Sequence, residues 1–214
     1  MTVPSAKGAA VGRRIGIGLM YGFWKPRVLG AWRMPASGPV ILAVNHAHNI
    51  DGPMLMGTAP RPVHFLIKKE AFVGPLGSFL EGIGQVEVDR ESTDRKAIGN
   101  ALGVLEQGGV LGIFPEGTRG DGDFASLRAG LAYFALRSGA PIVPVAVLGS
   151  TERRGRLVKA LPPLRARVDV VFGDAFDAGD GSGRRTRKAL DEATLRIQGK
   201  LTDHLENARR LTGR

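Results

Sequence analysis

The run Val40-Ile41-Leu42-Ala43-Val44, followed directly by Asn45-His46-Ala47-His48-Asn49-Ile50-Asp51, decides how this chain reads. A continuous apolar run of this length suits a strand buried on both faces, as in sheets covered by helices on each side. The polar run after it then falls at the strand's carboxyl end, where open α/β sheets gather their active groups. The pattern recurs at Val110-Leu111-Gly112-Ile113-Phe114, followed by Pro115-Glu116-Gly117-Thr118-Arg119. Strand ends give side chains a rigid support, which a precise site needs.

Further strands are predicted at residues 63–67, 85–88, 142–148 and 167–172. Helical patterns alternate with them. Ser92 can cap a helix running to Glu106, which Gly108-Gly109 ends. A second spans 127–138, closed by Gly139, and a third spans 186–211, with Ala189, Ala193, Ile197 and Leu201 recurring every fourth residue. This alternation predicts an α/β domain with a mixed, largely parallel sheet flanked by helices.

At 214 residues the chain fits one domain with a small N-terminal appendage. It contains no cysteine, which excludes disulfides, thiolate zinc sites and a cysteine nucleophile, and fits a reducing interior. The net charge of +10 is unevenly spread. Residues 1–34 carry six basic and no acidic side chains; residues 35–150 carry a net of −2, and residues 151–214 a net of +6. Basic ends attract either a nucleic acid or an anionic membrane. Nucleic acid is disfavoured, because aromatics make up only 6% and none interleaves a basic run.

No segment reaches the roughly 18–20 apolar residues of a spanning helix. The nearest, Ile15 to Trp24, follows Arg13-Arg14 and is stopped by Lys25-Pro26, with no small-residue cleavage site. It reads either as a short amphipathic helical segment lying in a membrane interface or as a cover for the core; the basic ends favour the interface. Residues 1–34 are accordingly expected to be a basic docking segment, and residues 35–214 the α/β domain.

In the first loop, His46 can take a proton from a hydroxyl and return it to a leaving group, provided a carboxylate fixes its tautomer. Asp51, five residues on, can supply that carboxylate if the chain turns into a helix near Asn49. There is no Gly-x-Ser-x-Gly elbow, so an acceptor's own hydroxyl is the expected nucleophile. A rival reading makes His46, His48 and Asp51 part of a hydrolytic metal site. That spacing wants a histidine straight after the aspartate, where Gly52 stands, and His64 and His204 fall in no ligand-like cluster. No metal or other cofactor is expected. In the second loop, Arg119 offers a planar donor fork suited to phosphate, Thr118 a hydroxyl, and Gly117 a close backbone approach.

Taken in order, these loops belong to four blocks: Asn45-His46-x4-Asp51, Gly84-Gln-Val-Glu-Val-Asp-Arg90, Phe114-Pro-Glu-Gly-Thr-Arg119 and Ala140-Pro-Ile-Val-Pro-Val145. The chain resembles, over roughly residues 35–150, the glycerolipid acyltransferases typified by 1-acyl-sn-glycerol-3-phosphate (lysophosphatidic acid) acyltransferases. Lys68-Lys69-Glu70 and Gly74-Pro75-Leu76-Gly77 are similar to that family's connecting segment. One departure is His48, at a position often serine in the family; it either tunes the base or caps the turn, and capping is the expectation.

The resemblance implies acyl transfer from acyl-CoA, or from acyl carrier protein, to the hydroxyl of 1-acyl-sn-glycerol 3-phosphate; glycerol 3-phosphate and other lysolipids are alternative acceptors. His46 would be the general base and Asp51 its orienting partner. Glu116, Gly117, Thr118 and Arg119 would hold the glycerophospholipid acceptor, with Arg119 on the phosphate and Arg90 and Lys68 adding positive charge. Lipid substrates further imply a monotopic protein held on the cytoplasmic face of the cell membrane, against an anionic surface.

Overall fold

The computed structural model describes residues 3–89, 94–117, 121–150, 161–179 and 186–214. The chain starts with helix α1 (Ala6–Phe23), capped by the Ser5 hydroxyl on the Gly8 N–H at 3.0 Å. Strand β1 (Lys25–Leu29) follows at once, then β2 (Val40–Val44) and α2 (Asp51–Thr58). Next come β3 (Val63–Lys68), α3 (Gly74–Gly82), β4 (Val86–Val88), α4 (Arg95–Glu106) and β5 (Val110–Ile113). Helix α5 (Gly130–Ser138), β6 (Ile142–Leu148), β7 (Arg167–Phe172) and α6 (Arg187–Thr212) complete the described elements.

The seven strands form one sheet in the order β1-β7-β6-β2-β5-β3-β4. Strands β2 to β6 are mutually parallel wherever they pair, β7 runs antiparallel to β6, and β1 is parallel to β7. β2 therefore sits in the middle, and all five of its residues are buried. Ile41 and Ala43 face a core built with α4, α5 and α6, while Val40, Leu42 and Val44 face one built with α1 and α2. The mixed, largely parallel sheet flanked by helices matches the sequence reading.

The described elements differ from the sequence reading at three places. β1 was not predicted as a strand: Lys-Pro-Arg interrupts any apolar alternation, yet an edge position tolerates both Pro26 and the charges. Helix α4 is capped by Asp94, whose Oδ1 accepts the Ala97 N–H at 2.9 Å, whereas Ser92 lies outside the described residues. Helix α5 begins three residues later than its apolar pattern.

Residues 1–34 thus supply a helix and a sheet strand. α1 buries Gly8, Gly12, Gly16 and Met20 along one stripe. A Cβ added at Gly57 of α2 would lie 2.6 Å from the Gly16 carbonyl oxygen, so the two backbones meet with no side chain between them. The adjoining stripe of α1, Val11, Ile15, Leu19 and Phe23, is exposed. Among the described residues no helix is long and apolar enough to cross a membrane.

The outer half of the sheet is tied at Asp169, whose side chain is 0% exposed. It accepts Arg27 of β1 at 2.6 Å and Arg214, beyond α6, at 3.2 Å, with Arg167 at 3.5 Å. A carboxylate buried this deeply is tolerated only when opposite charges compensate its lost hydration.

Candidate active site

The loop after β2 is wound around one carboxylate. Asp51 opens α2 with its side chain fully buried, and its Oδ2 accepts the backbone N–H of Ala47 at 2.9 Å and of His48 at 2.6 Å. The Asp51 N–H closes the turn on the His48 carbonyl at 3.3 Å. A carboxylate in the first turn of a helix also meets the positive end of the peptide dipoles.

The same Oδ2 lies 3.3 Å from Nδ1 of His46. A carboxylate only accepts, so in the neutral ring Nδ1 carries the hydrogen and Nε2 the lone pair. That is the tautomer a general base needs, and hydrogen bonds of such pairs commonly tighten only with substrate bound. His46 retains 16% of its side-chain exposure, enough for a ligand to reach the ring. On its other side Phe114 stacks against it, with ring centroids 4.2 Å apart, and Phe65 stacks on Phe114 at 5.8 Å.

Asn45 fixes where this loop leaves the sheet. It is buried, and its amide exchanges two hydrogen bonds with the backbone of Val147 on β6. Nothing in the sequence signals that pair, because the partners are 102 residues apart and one of them acts through its backbone alone.

Glu116 follows β5 and reaches back to the first loop. One oxygen accepts the His46 N–H at 3.3 Å and the other the Phe124 N–H at 2.9 Å. Burial pushes its carboxyl above the ordinary glutamate value, while those two N–H groups pull it back towards ionisation. Phe124 is buried with φ at 60°, a left-handed conformation costly for an aromatic residue. Glu116 holds it by the N–H and Gln198 of α6 holds it by the carbonyl at 2.9 Å. Gly117 has φ at 73°, and a Cβ there would strike the Arg128 guanidinium. Lys68 is exposed at the carboxyl end of β3, on the same sheet edge as His46. Arg90, Thr118 and Arg119 lie outside the described residues.

Beside Phe114 a cavity of about 440 Å³ opens between the β3–β5 edge and helices α4 and α5, lined by Leu66, Ile98, Ile113, Leu131 and Phe134. Its walls are mainly apolar, and it ends one ring away from His46. Among the described residues no three histidine, aspartate or glutamate side chains are placed to share a metal ion.

A histidine paired with a buried carboxylate, a stacked wall and an adjoining apolar cavity suit transfer of an apolar group to a hydroxyl. Comparison with known proteins gives the same direction. The 1-acyl-sn-glycerol-3-phosphate acyltransferase of Bacillus subtilis is 28% identical over 183 residues, covering 85% of this chain and 88% of that protein. The protein of that description from Borreliella burgdorferi is 31% identical over 129 residues, with 58% and 52% covered. The crystal structure of the 1-acyl-sn-glycerophosphate (LPA) acyltransferase PlsC from Thermotoga maritima superposes with a TM-score of 0.68 at 21% identity, covering 97% of this chain and 79% of that one. At that identity the likeness speaks for the fold. The Acyltransferase family model matches residues 25–148, more than half of the chain, and takes in both polar loops. The enzyme whose residues are assembled here belongs to the Acyltransferase family.

Proposed function

We propose that the protein moves a fatty acyl group from a thioester carrier, acyl-CoA or acyl carrier protein, to the free hydroxyl of 1-acyl-sn-glycerol 3-phosphate. The observation that carries this reading is the His46–Asp51 pair at the carboxyl end of β2, beside an apolar cavity. Nε2 of His46 takes the hydroxyl proton as the oxygen attacks the thioester carbonyl carbon. A carbon–oxygen bond forms, the carbon–sulfur bond breaks, and the leaving thiolate recovers the proton from His46. Asp51 stabilises the imidazolium between those two events. The acyl chain is assigned to the apolar cavity by chemical match. Arg90, Thr118 and Arg119 are assigned to the acceptor and its phosphate on the grounds of their blocks, Lys68 on the grounds of the connecting segment, and Gly117 to a close backbone approach.

A lipid acceptor calls for a membrane surface. The exposed stripe of α1 and the exposed Leu161 and Leu164, whose segment is tied to α1 through the Trp24 indole N–H on the Pro162 carbonyl, support docking there. We assign the protein to the cytoplasmic face of the cell membrane as a monotopic enzyme on anionic lipid. Purified protein, labelled palmitoyl-CoA and a panel of lysophosphatidic acid, glycerol 3-phosphate and neutral lysolipids test the assignment. Transfer highest with lysophosphatidic acid is expected; transfer confined to another acceptor would reassign the substrate.

A further inference from the structure

A second cavity, of about 710 Å³, lies on the other side of the catalytic loop. Asn45 and Ala47, the neighbours of His46, form one wall, and Arg167, Arg209 and Arg214 form the far one. Among the described residues lining it, Asp121 is the single acidic one. Two of the arginines are fixed in place: Arg214 donates to Asp169 at 3.2 Å and to the Arg167 carbonyl at 2.9 Å, and Arg167 lies 3.5 Å from Asp169. Arg214 also rests on Gly149, where a Cβ would come within 2.7 Å of its guanidinium. Arg209, half-buried, makes no side-chain hydrogen bond or ion pair among the described residues.

The charge balance favours an anion. Asp169 offsets one cation and already engages three arginines, counting Arg27, one of whose terminal nitrogens is buried without a partner. α6 ends here, and a helix carbonyl end by itself repels anions with about half a charge. The Arg209 carbonyl is capped by the Arg214 N–H at 3.0 Å, and the full charges of the arginines outweigh what remains.

We propose that this cavity is a phosphate subsite for the carrier arm of the acyl donor; the inference rests on the acyl-transfer reading above. Position decides between the two substrates. Lys68 and the Phe114–Gly117 turn lie on the β5–β3 side of His46, whereas this cavity lies on the β6–β7 side. β7 stands two strand spacings from β2, about 10 Å away. Four bonds separate the attacking oxygen of a glycerol phosphate from its phosphorus, a reach of no more than about 6 Å at roughly 1.5 Å per bond. A phosphopantetheine arm puts more than about ten bonds between sulfur and phosphorus and spans that gap with the thioester at His46. Coenzyme A and acyl carrier protein share this arm, and coenzyme A adds the phosphates of its adenosine end.

The test compares acyl-pantetheine, acyl-phosphopantetheine and acyl-CoA as donors for the wild type, Arg209→Glu and the charge-matched control Arg210→Glu. Arg210 projects outside the cavity and pairs with Asn207. Arg209→Glu should lower the kcat/KM ratio of acyl-CoA over acyl-pantetheine by about ten- to a hundredfold, the size of a lost charged contact. An equal fall for acyl-phosphopantetheine identifies the arm phosphate as the ligand; a fall for acyl-CoA alone identifies the adenosine phosphates. A change in acceptor KM instead, the same fall in Arg210→Glu, or no change at all overturns the proposal. Calorimetric titration of coenzyme A into the same three proteins needs no turnover. Salt-sensitive binding weakened only in Arg209→Glu, in a protein that transfers no acyl group, would keep the site and dismiss the reaction.

Discussion

Asn45 and Val147 exchange two hydrogen bonds: the Val147 N–H donates to Asn45 Oδ1 at 2.7 Å, and Asn45 Nδ2 donates to the Val147 carbonyl at 3.1 Å. The side-chain amide takes the place of a peptide group, so pairing between β2 and β6 continues one residue past the point where the backbone turns away. His46 is launched from that anchor. Asn45→Ala leaves two buried backbone groups of Val147 without partners and should cost about 2–4 kcal/mol. Chemical denaturation measures the loss, and kcat should fall with it, more than either KM rises. A fully active, fully stable Asn45→Ala protein would show that the loop is held elsewhere.

Asp51→Asn is a clean test of charge. Oδ1 of Asp51 is buried without a partner, so an asparagine can put its nitrogen there and keep its oxygen on Ala47, His48 and His46. The fold should survive while kcat drops at least ~10²-fold, as for His46→Ala, because the imidazolium loses its counter-charge. Retention of wild-type turnover in either folded variant would remove the pair from the mechanism.

Glu116 separates two roles by kinetics. Resemblance assigns it to the acceptor, yet both of its oxygens are engaged by backbone N–H groups, of His46 and of Phe124. Glutamine has one acceptor oxygen, so Glu116→Gln must release one of the two loops. We expect kcat to fall about tenfold or more with acceptor KM within twofold, in line with the roughly 1–3 kcal/mol of a buried group left unpaired. A rise confined to acceptor KM would return Glu116 to the substrate.

Vesicle docking should respond to the outer stripe of α1. Leu19→Asp and Phe23→Asp replace exposed apolar residues and should sharply reduce co-sedimentation with anionic vesicles while leaving thermal stability within about 0.5 kcal/mol. Salt should weaken wild-type binding without abolishing it, since only the electrostatic part is screened. Undiminished sedimentation of the double variant would move the contact to another face.

Two histidines, His64 buried and His204 half-buried, set an acid limit on stability. Burial holds His64 and His204 below the ordinary histidine value, although each ring faces a backbone carbonyl, of Gly84 and of Val171. The unfolded chain therefore binds more protons once the pH falls below about 6.5. Stability is complete above that value and declines below it, until the pH reaches the lowered native values. Each group adds a slope of up to about 1.4 kcal/mol per pH unit. Denaturation curves between pH 7 and 5 should show the decline, and His204→Gln should flatten it; an unchanged slope would exonerate His204.

How much was legible beforehand depended on where partners sit along the chain. β2 and β5 were plain because central strands are apolar throughout, and His46 with Asp51 because five residues contain the whole pair. β1 was hidden: an edge strand needs only backbone pairing, so Lys25, Pro26 and Arg27 carry no apolar signature. The Asn45–Val147 clamp and the arginines around Asp169 were hidden too, because contacts across 102 and 142 residues leave no local spacing to read. The stack of Phe114 on His46 follows from two adjacent strand ends, and only the strand order reveals it.

That strand order also governs how the chain is born. β1 leaves the ribosome early, but among the described strands it pairs only with β7, and Arg27 waits for Asp169, 142 residues downstream. At about 5–20 residues per second the delay is on the order of 10–30 s. Throughout it α1 is already synthesised, and its apolar outer stripe is on offer before the outer half of the sheet can close. The central strands β2 to β6 can pair meanwhile, being consecutive in a parallel block. Maturation of the sheet then ends at its margin, where Arg214, downstream of α6, locks onto the carboxylate that the early strand has been waiting for.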